Sequence, residues 1–242
     1  RAIRLNAPFF KTFGPGLPLV VAKWAMTADG KIATRTGDSQ WISGRQARRR
    51  VHRVRGRVDA VMVGSGTART DDPALTCRDA EKRRTATRVV VCGNSCPAPD
   101  SQLVRTAPDP PVLLVIASSN QPEGIPELRQ AGCRVAEVRE AAGNTGRPDP
   151  RAVLEALGKR DVSRVLVEGG SVLLGALLDA DLIDRVMAFM SPVVTGGADA
   201  LPPVGGRGAE TIQGGRQLAQ SEVELMGPDV LMQGWLQDPG PW

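Results

Sequence analysis

Lys23 is the one charged residue in an apolar run at 19–26 that closes in the turn-forming Thr27-Ala28-Asp29-Gly30. A strand lysine either snorkels from the sheet edge into solvent or holds its ammonium where a substrate carbonyl or hydroxyl can meet it. The apolar run at 58–63 ends in Gly64-Ser65-Gly66-Thr67. Two glycines let backbone approach a ligand closely, and a helix starting here offers unpaired N–H groups to phosphate; any tight turn also uses glycine. Asp71-Asp72-Pro73 adds a carboxylate pair, with Pro73 holding Asp72 to extended geometry. A third run, 164–168, ends in Glu168-Gly169-Gly170, with a helix expected over 171–179. Strand, glycine pair and helix N-terminus can seat a pyrophosphate, and Glu168 falls where open α/β sheets place ligand contacts. The spacing is not G-x-G-x-x-G, which argues against a standard Rossmann domain.

The elements that must hold these groups are legible around them. Ser43-Gly44-Arg45-Gln46 has capping-box form and predicts a helix start, and Ala47, Val51, Val54 and Val58 recur at helical spacing as its buried stripe. Seven arginines crowd the same stretch: Arg45, Arg48, Arg49, Arg50, Arg53, Arg55 and Arg57. Arg49 and Arg53 project to solvent, while Arg50 and Arg55 flank the stripe and can reach over its edge into a cleft. Residues 31–34 read as a short strand. The polar loop 36–41 after them carries one large aromatic, Trp41, a candidate plug for the core beneath. Further strands are expected at 88–92, 112–117 and 134–138, a helix at 127–131, and a surface loop at 141–148. Asp149 and Pro150 supply the N-cap and first-turn proline of a helix that stops near Gly158. Residues 184–190, 217–225 and 230–236 read as antiparallel strands, the last two joined at Gly227-Pro228-Asp229. Residues 1–18, with Gly14, Pro15, Gly16 and Pro18, read as a connector ahead of one domain at 19–242. The chain begins at Arg1 without Met and reads as a fragment or a processed form.

Composition removes several classes. A length of 242 residues, 41% hydrophobic and 24% charged, suits a soluble α/β domain, and no apolar run approaches the ~20 residues of a membrane span. The net charge of +5 comes from the local arginine crowd, and 3% aromatics with no Tyr leave no platform for stacking bases, which argues against nucleic acid. Cys77, Cys92, Cys96 and Cys133 do not form a disulfide framework. Cys92 and Cys96 have zinc-ligand spacing, but with one histidine and no second pair they read as reduced, packed thiols in a cytoplasmic protein, with no metal.

In this order and spacing, KWAMTADGKIATRTGDSQWIS, VDAVMVGSGTARTDDPALTCR and VLVEGGSVLLGALLDADLIDRV closely resemble the reductase domain of the bifunctional riboflavin-biosynthesis deaminase/reductase. The resemblance covers roughly residues 1–235. It implies a dihydrofolate-reductase-like fold: a mixed sheet, helices on both faces and an antiparallel C-terminal hairpin. It also implies NADPH-dependent reduction of 5-amino-6-(5-phosphoribosylamino)uracil, a homodimer, and an N-terminal deaminase domain in the parent chain, whose H-x-E and P-C-x-x-C motifs are absent here. By resemblance, Ser39, Arg55, Leu75, Arg78 and Glu168 are substrate positions, with Arg55 the phosphate arginine. Ala25, Trp41, Thr67, Asp71, Gly170, Ser171, Val172, Leu173, Leu174, Gly175 and Ala176 are cofactor positions. Lys23 and Asp71 are the candidates for assisting sugar-ring opening. Arg69, Arg83, Arg84 and Arg88 are open candidates for a cofactor 2′-phosphate. A same-fold reductase of a pteridine or other carbonyl compound, and a non-catalytic nucleotide-binding module, are the alternatives.

Overall fold

A computed structural model describes residues 6–143 and 146–237. Valine-rich runs with no polar interruption are the signature of strands buried on both faces, and they pair accordingly. These are β1 (Leu19–Met26), β2 (Ala60–Gly64), β3 (Thr87–Val91), β4 (Val112–Ala117), β5 (Arg134–Val138), β6 (Arg164–Val167) and β7 (Arg185–Met190). With β8 (Ala219–Met226) and β9 (Asp229–Trp235) they form one nine-stranded sheet, ordered β5-β4-β3-β2-β6-β1-β7-β9-β8. Every pair from β5 through β7 is parallel; β7–β9 and β9–β8 are antiparallel. The strand at 184–190, expected to be antiparallel, is therefore the hinge of the sheet, parallel to β1 on one side and antiparallel to β9 on the other.

Helices cover both faces. Against one lie α1 (Ala7–Phe13), α2 (Arg45–Arg55), α3 (Ser65–Asp71), α4 (Gln102–Arg105) and α5 (Ile125–Gln130), through Ala7, Ala47, Val51, Ala68, Leu103 and Leu128. Against the other lie α6 (Pro150–Gly158) and α7 (Ser171–Asp179), through Val153, Leu154, Leu157, Leu174 and Leu177. The mixed sheet, its two helical layers and the C-terminal hairpin are the architecture that the resemblance implied.

Four local expectations give way. Residues 31–34 form no strand; the Lys31 amide and carbonyl close back on Thr27, and Ile32 N–H donates to the Leu201 carbonyl. The capping box does not form: the N-cap of α2 is Gly44, whose amide donates to the Asp229 carboxylate at 2.6 Å. Asp72 is left-handed (φ 38°, ψ 56°) despite the following proline, because it ends α3, and Asp tolerates that region. There its carboxylate and carbonyl accept from the Gln102 backbone and side chain, each at 2.7 Å. The stretch expected as a connector carries α1, tied to the domain by the buried pair Lys11–Asp184 at 2.5 Å, with Asp184 also accepting from Val20 N–H. Of the expected loop at 141–148, Asn144 and Thr145 lie outside the described residues, as do residues 1–5 of the expected connector and 238–242 of the expected domain.

Candidate active site

The carboxyl ends of β1, β2 and β6 meet at one point, because a parallel sheet brings all its strand-to-helix loops to one edge. Gly64 N–H donates to the Gly169 carbonyl at 3.1 Å, and Glu168 N–H to the Met62 carbonyl at 2.9 Å, so the two glycine loops are laced together. A Cβ on Gly170 would stand 2.9 Å from Thr67 Oγ1, so one loop needs the other's missing side chain.

Three charged groups occupy the floor. Arg55, at the end of α2, forks onto Glu168: Nε to Oε1 at 2.5 Å and NH2 to Oε2 at 3.0 Å. Its NH1 donates to the Thr76 carbonyl at 3.1 Å. Lys23 Nζ stands 4.0 Å from Glu168 Oε2. Burial alone would raise the Glu168 pKa, but the charge and paired hydrogen bonds of Arg55, then Lys23 and His52, bring it below the ordinary glutamate value. Burial pulls Lys23 down, with Glu168 opposing and Arg55 assisting. Asp71 goes the other way: burial raises it, against a 3.5 Å contact from Ser39 Oγ and the charge of Lys23. A cation eased toward neutrality and a carboxyl eased toward protonation share one cleft, the condition for moving protons near neutral pH.

The loop after α3 is strapped to α2. Leu75 is buried with φ 52°, and the ring of His52 meets the chain beyond it: Nδ1 lies 3.1 Å from both the Thr76 carbonyl oxygen and the Arg78 amide nitrogen. Burial, then Arg55 and Arg78, lowers the His52 pKa and keeps the ring neutral. On the outer side of α2, Arg45, Arg48, Arg49 and His52 line a cavity of about 610 Å³, with Asp79 across from them. The Arg48 guanidinium stacks 4.6 Å from the centre of the Trp41 ring.

Residues 18–232 match the RibD C-terminal domain family. The chain belongs to this family. It is 35% identical over 218 residues to a 2,5-diamino-6-ribosylamino-4(3H)-pyrimidinone 5′-phosphate reductase of Methanothermobacter thermautotrophicus, covering 89% of this chain and 97% of that protein. It is 34% identical over 229 residues to the riboflavin biosynthesis protein RibD of Actinobacillus pleuropneumoniae, covering 94% of this chain and 59% of that one. A crystal structure of a Thermotoga maritima diaminohydroxyphosphoribosylaminopyrimidine deaminase/5-amino-6-(5-phosphoribosylamino)uracil reductase superposes with a TM-score of 0.72 at 27% identity, over 93% of this chain and 58% of that one. The chain thus spans about three-fifths of the RibD proteins it matches.

Within this RibD C-terminal domain, the positions expected from sequence sort by their surroundings. Lys23, Ser39, Arg55, Asp71 and Glu168 come together, and Ala25 and Thr67 border them, partly buried. Trp41 does not plug the core; it is 71% exposed. Arg78 is exposed, and Leu75 is a packed residue that reaches the site through its backbone neighbours. At α7, the N-cap Gly170 is extended and has no side-chain cap, so the first-turn N–H groups of Ser171, Val172 and Leu173 suit a dinucleotide's phosphates. Leu174 and Gly175 are taken up by packing: Leu174 is 1% exposed, and a Cβ on Gly175 would fall 2.3 Å from the Gly205 carbonyl carbon. Ala176, a turn further on, is partly buried. Arg55, expected as the phosphate arginine, has its guanidinium engaged by Glu168 and the Thr76 carbonyl. Arg88 is 1% exposed and donates to Thr106 and the Pro110 carbonyl, so it holds two chain segments together rather than a cofactor 2′-phosphate.

Sequence reasoning missed His52 and Thr76. The signal for His52 was its place one helical turn before Arg55 on the same face; Thr76 acts through its carbonyl, which no side-chain pattern records.

Proposed function

We propose that this domain reduces 5-amino-6-(5-phosphoribosylamino)uracil to 5-amino-6-(5-phosphoribitylamino)uracil with NADPH. One observation carries the reading: Lys23, Asp71 and the Arg55–Glu168 pair face one cleft at the carboxyl edge of the sheet, beside the uncapped start of α7. When bound, the nicotinamide supplies a hydride. Asp71, with its raised pKa, gives a proton to the sugar ring oxygen as the bond from that oxygen to C1′ breaks. The exocyclic nitrogen bonded to C1′ gives its proton to the Asp71 carboxylate, left anionic by the first transfer, as the C1′ imine forms. Lys23 orients the sugar, and the cleft returns a proton to the nitrogen once C1′ has accepted the hydride. Glu168, held anionic by Arg55, accepts hydrogen bonds from the pyrimidine through its free lone pairs. Ser39 steadies Asp71. Thr67 and the first turn of α7 position the cofactor.

NADPH consumption monitored with the phosphoribosylamino-pyrimidine, with the product identified by mass, tests this. Oxidation of NADPH with a two-hydrogen mass gain is expected. No turnover despite NADPH binding would leave a nucleotide-binding module, and turnover of a pteridine in preference would move the substrate class.

The same reading includes a homodimer in the cytoplasm, its parent chain carrying a deaminase domain. Support for the dimer comes from the open end of the sheet. On β8 and β9, Val223 pairs with Met232, and with Leu225 they expose 65%, 45% and 76% of their surface on one face. A Val223→Asp/Leu225→Asp variant measured by light scattering should be monomeric where the parent is a dimer. Support for the cytoplasm comes from four free thiols.

A further inference from the structure

We infer that Cys92 and Cys96 form a peroxide-responsive thiol pair that closes to a reversible disulfide at the carboxyl end of β3. Their Sγ atoms lie 2.8 Å apart and share a hydrogen bond. A disulfide bond is about 2.05 Å long, so less than about an ångström of travel separates this contact from a bond. The backbone on either side is fixed. Cys92 follows β3 directly, and its N–H donates to the Val115 carbonyl at 2.9 Å, which extends the ladder with β4. Between the two thiols, Asn120 Nδ2 donates to the Gly93 carbonyl at 3.3 Å and to Asn94 Oδ1 at 3.2 Å. Beyond them, Pro97 and Pro99 stiffen the return to α4. The fold itself therefore holds the two sulfurs together.

The surroundings give the two thiols different roles. Cys92 has no exposed surface, whereas Cys96 is 9% exposed and is the one that a small oxidant reaches. Hydrogen bonding by Cys92 lowers the Cys96 pKa against burial. The same bond, burial and the sulfurs of Cys96 and Cys133 raise that of Cys92. Cys96 is thus the thiolate that attacks and Cys92 the thiol that resolves, the arrangement by which redox-sensing cysteines work. Cys133, 5% exposed, lies in the same apolar core. Among the described residues, no group of three His, Cys, Asp or Glu side chains could hold a metal ion, which leaves thiol chemistry for the pair.

The Cys96 thiolate attacks one oxygen of hydrogen peroxide. The O–O bond breaks, and the departing hydroxide takes up the proton that Cys96 had released, leaving water and a sulfenic acid on Cys96. The Cys92 sulfur then attacks the Cys96 sulfur. The S–S bond forms as the S–O bond breaks, and the second hydroxide leaves as water with the Cys92 proton. Two thiols give up two electrons, and the peroxide takes them.

Trypsin places both cysteines in the peptide 89–105, apart from Cys77 and Cys133. Reduced protein treated with hydrogen peroxide, alkylated and digested should yield that peptide unalkylated and two hydrogens lighter, with Cys133 still alkylated. A dithiol reductant should restore it. The pair should oxidise about tenfold faster than the Cys133 thiol. Cys92→Ser should stop at a sulfenic acid on Cys96, trapped by dimedone, and Cys96→Ser should leave Cys92 a thiol under the same exposure. Circular dichroism checks the fold of both variants, and the wild-type peptide mass needs neither. A doubly alkylated 89–105 peptide after peroxide, a bond from either cysteine to Cys133, or dimedone on Cys92 in Cys96→Ser would each overturn the inference.

Discussion

Removing Arg55 should cost more than a surface arginine does, and the cost should depend on pH in a direction set by Glu168. The side chains of Arg55 and Glu168 are 13% and 6% exposed and share two hydrogen bonds, at 2.5 and 3.0 Å. Breaking such a buried pair from one side leaves a carboxylate without its main partner, at about 3–5 kcal/mol. Lys23, at 4.0 Å, offsets part of this, so Arg55→Ala should lose about 3 kcal/mol at neutral pH in urea unfolding. In the wild type the folded Glu168 pKa lies below its ordinary value of 4.5. Its contribution is therefore fully present above that value and lost as pH falls through the lower folded value. In the variant, burial is no longer outweighed and the Glu168 pKa rises. The variant's deficit should then be largest at neutral pH and shrink on acidification, as the carboxyl takes up a proton. Arg55→Ala/Glu168→Gln should be more stable than Arg55→Ala alone, because the stranded charge is gone. A loss under about 1 kcal/mol, the range of exposed pairs, or a deficit that does not change with pH, would refute the buried-pair account.

Lys11→Met strands Asp184, 1% exposed, and should destabilise by about 3 kcal/mol in thermal or urea unfolding; no loss would mean that α1 is not part of the cooperative unit. Arg88→Met removes donors from Thr106 and Pro110 and should lower stability by about 1–3 kcal/mol, while the ratio of NADPH to NADH affinities stays as in the wild type; a changed ratio would restore Arg88 as a cofactor contact. Gly170→Val drives a side chain into Thr67 Oγ1, 2.9 Å from the Cβ position, and should weaken NADPH binding by tenfold or more in a fluorescence titration, with folding retained by circular dichroism; unaltered affinity would make the glycine pair a turn only.

How much was legible in the sequence follows from how local each signal is. Apolar runs ending in glycine gave β1 at Leu19–Met26 and α7 at Ser171–Asp179 to the residue, since burial on both faces and helix entry are written in consecutive positions. Asp149 and Pro150 announced α6 for the same reason, and the Asp149 side chain does accept from Ala152 N–H at 2.8 Å. The capping box failed because Asp229, 185 residues away, reached the Gly44 amide, and tertiary partners override a local cap of about 1 kcal/mol. Asp72 turned left-handed against its proline because Gln102 met both its oxygens. The chemistry-bearing residues were visible as types: Lys23, Arg55, Asp71 and Glu168 stand out where strands and helices end. Their pairing was not visible, since Arg55 and Glu168 are 113 positions apart. Only the parallel sheet, by bringing the ends of β1, β2 and β6 to one edge, decided that Glu168 would hold Arg55.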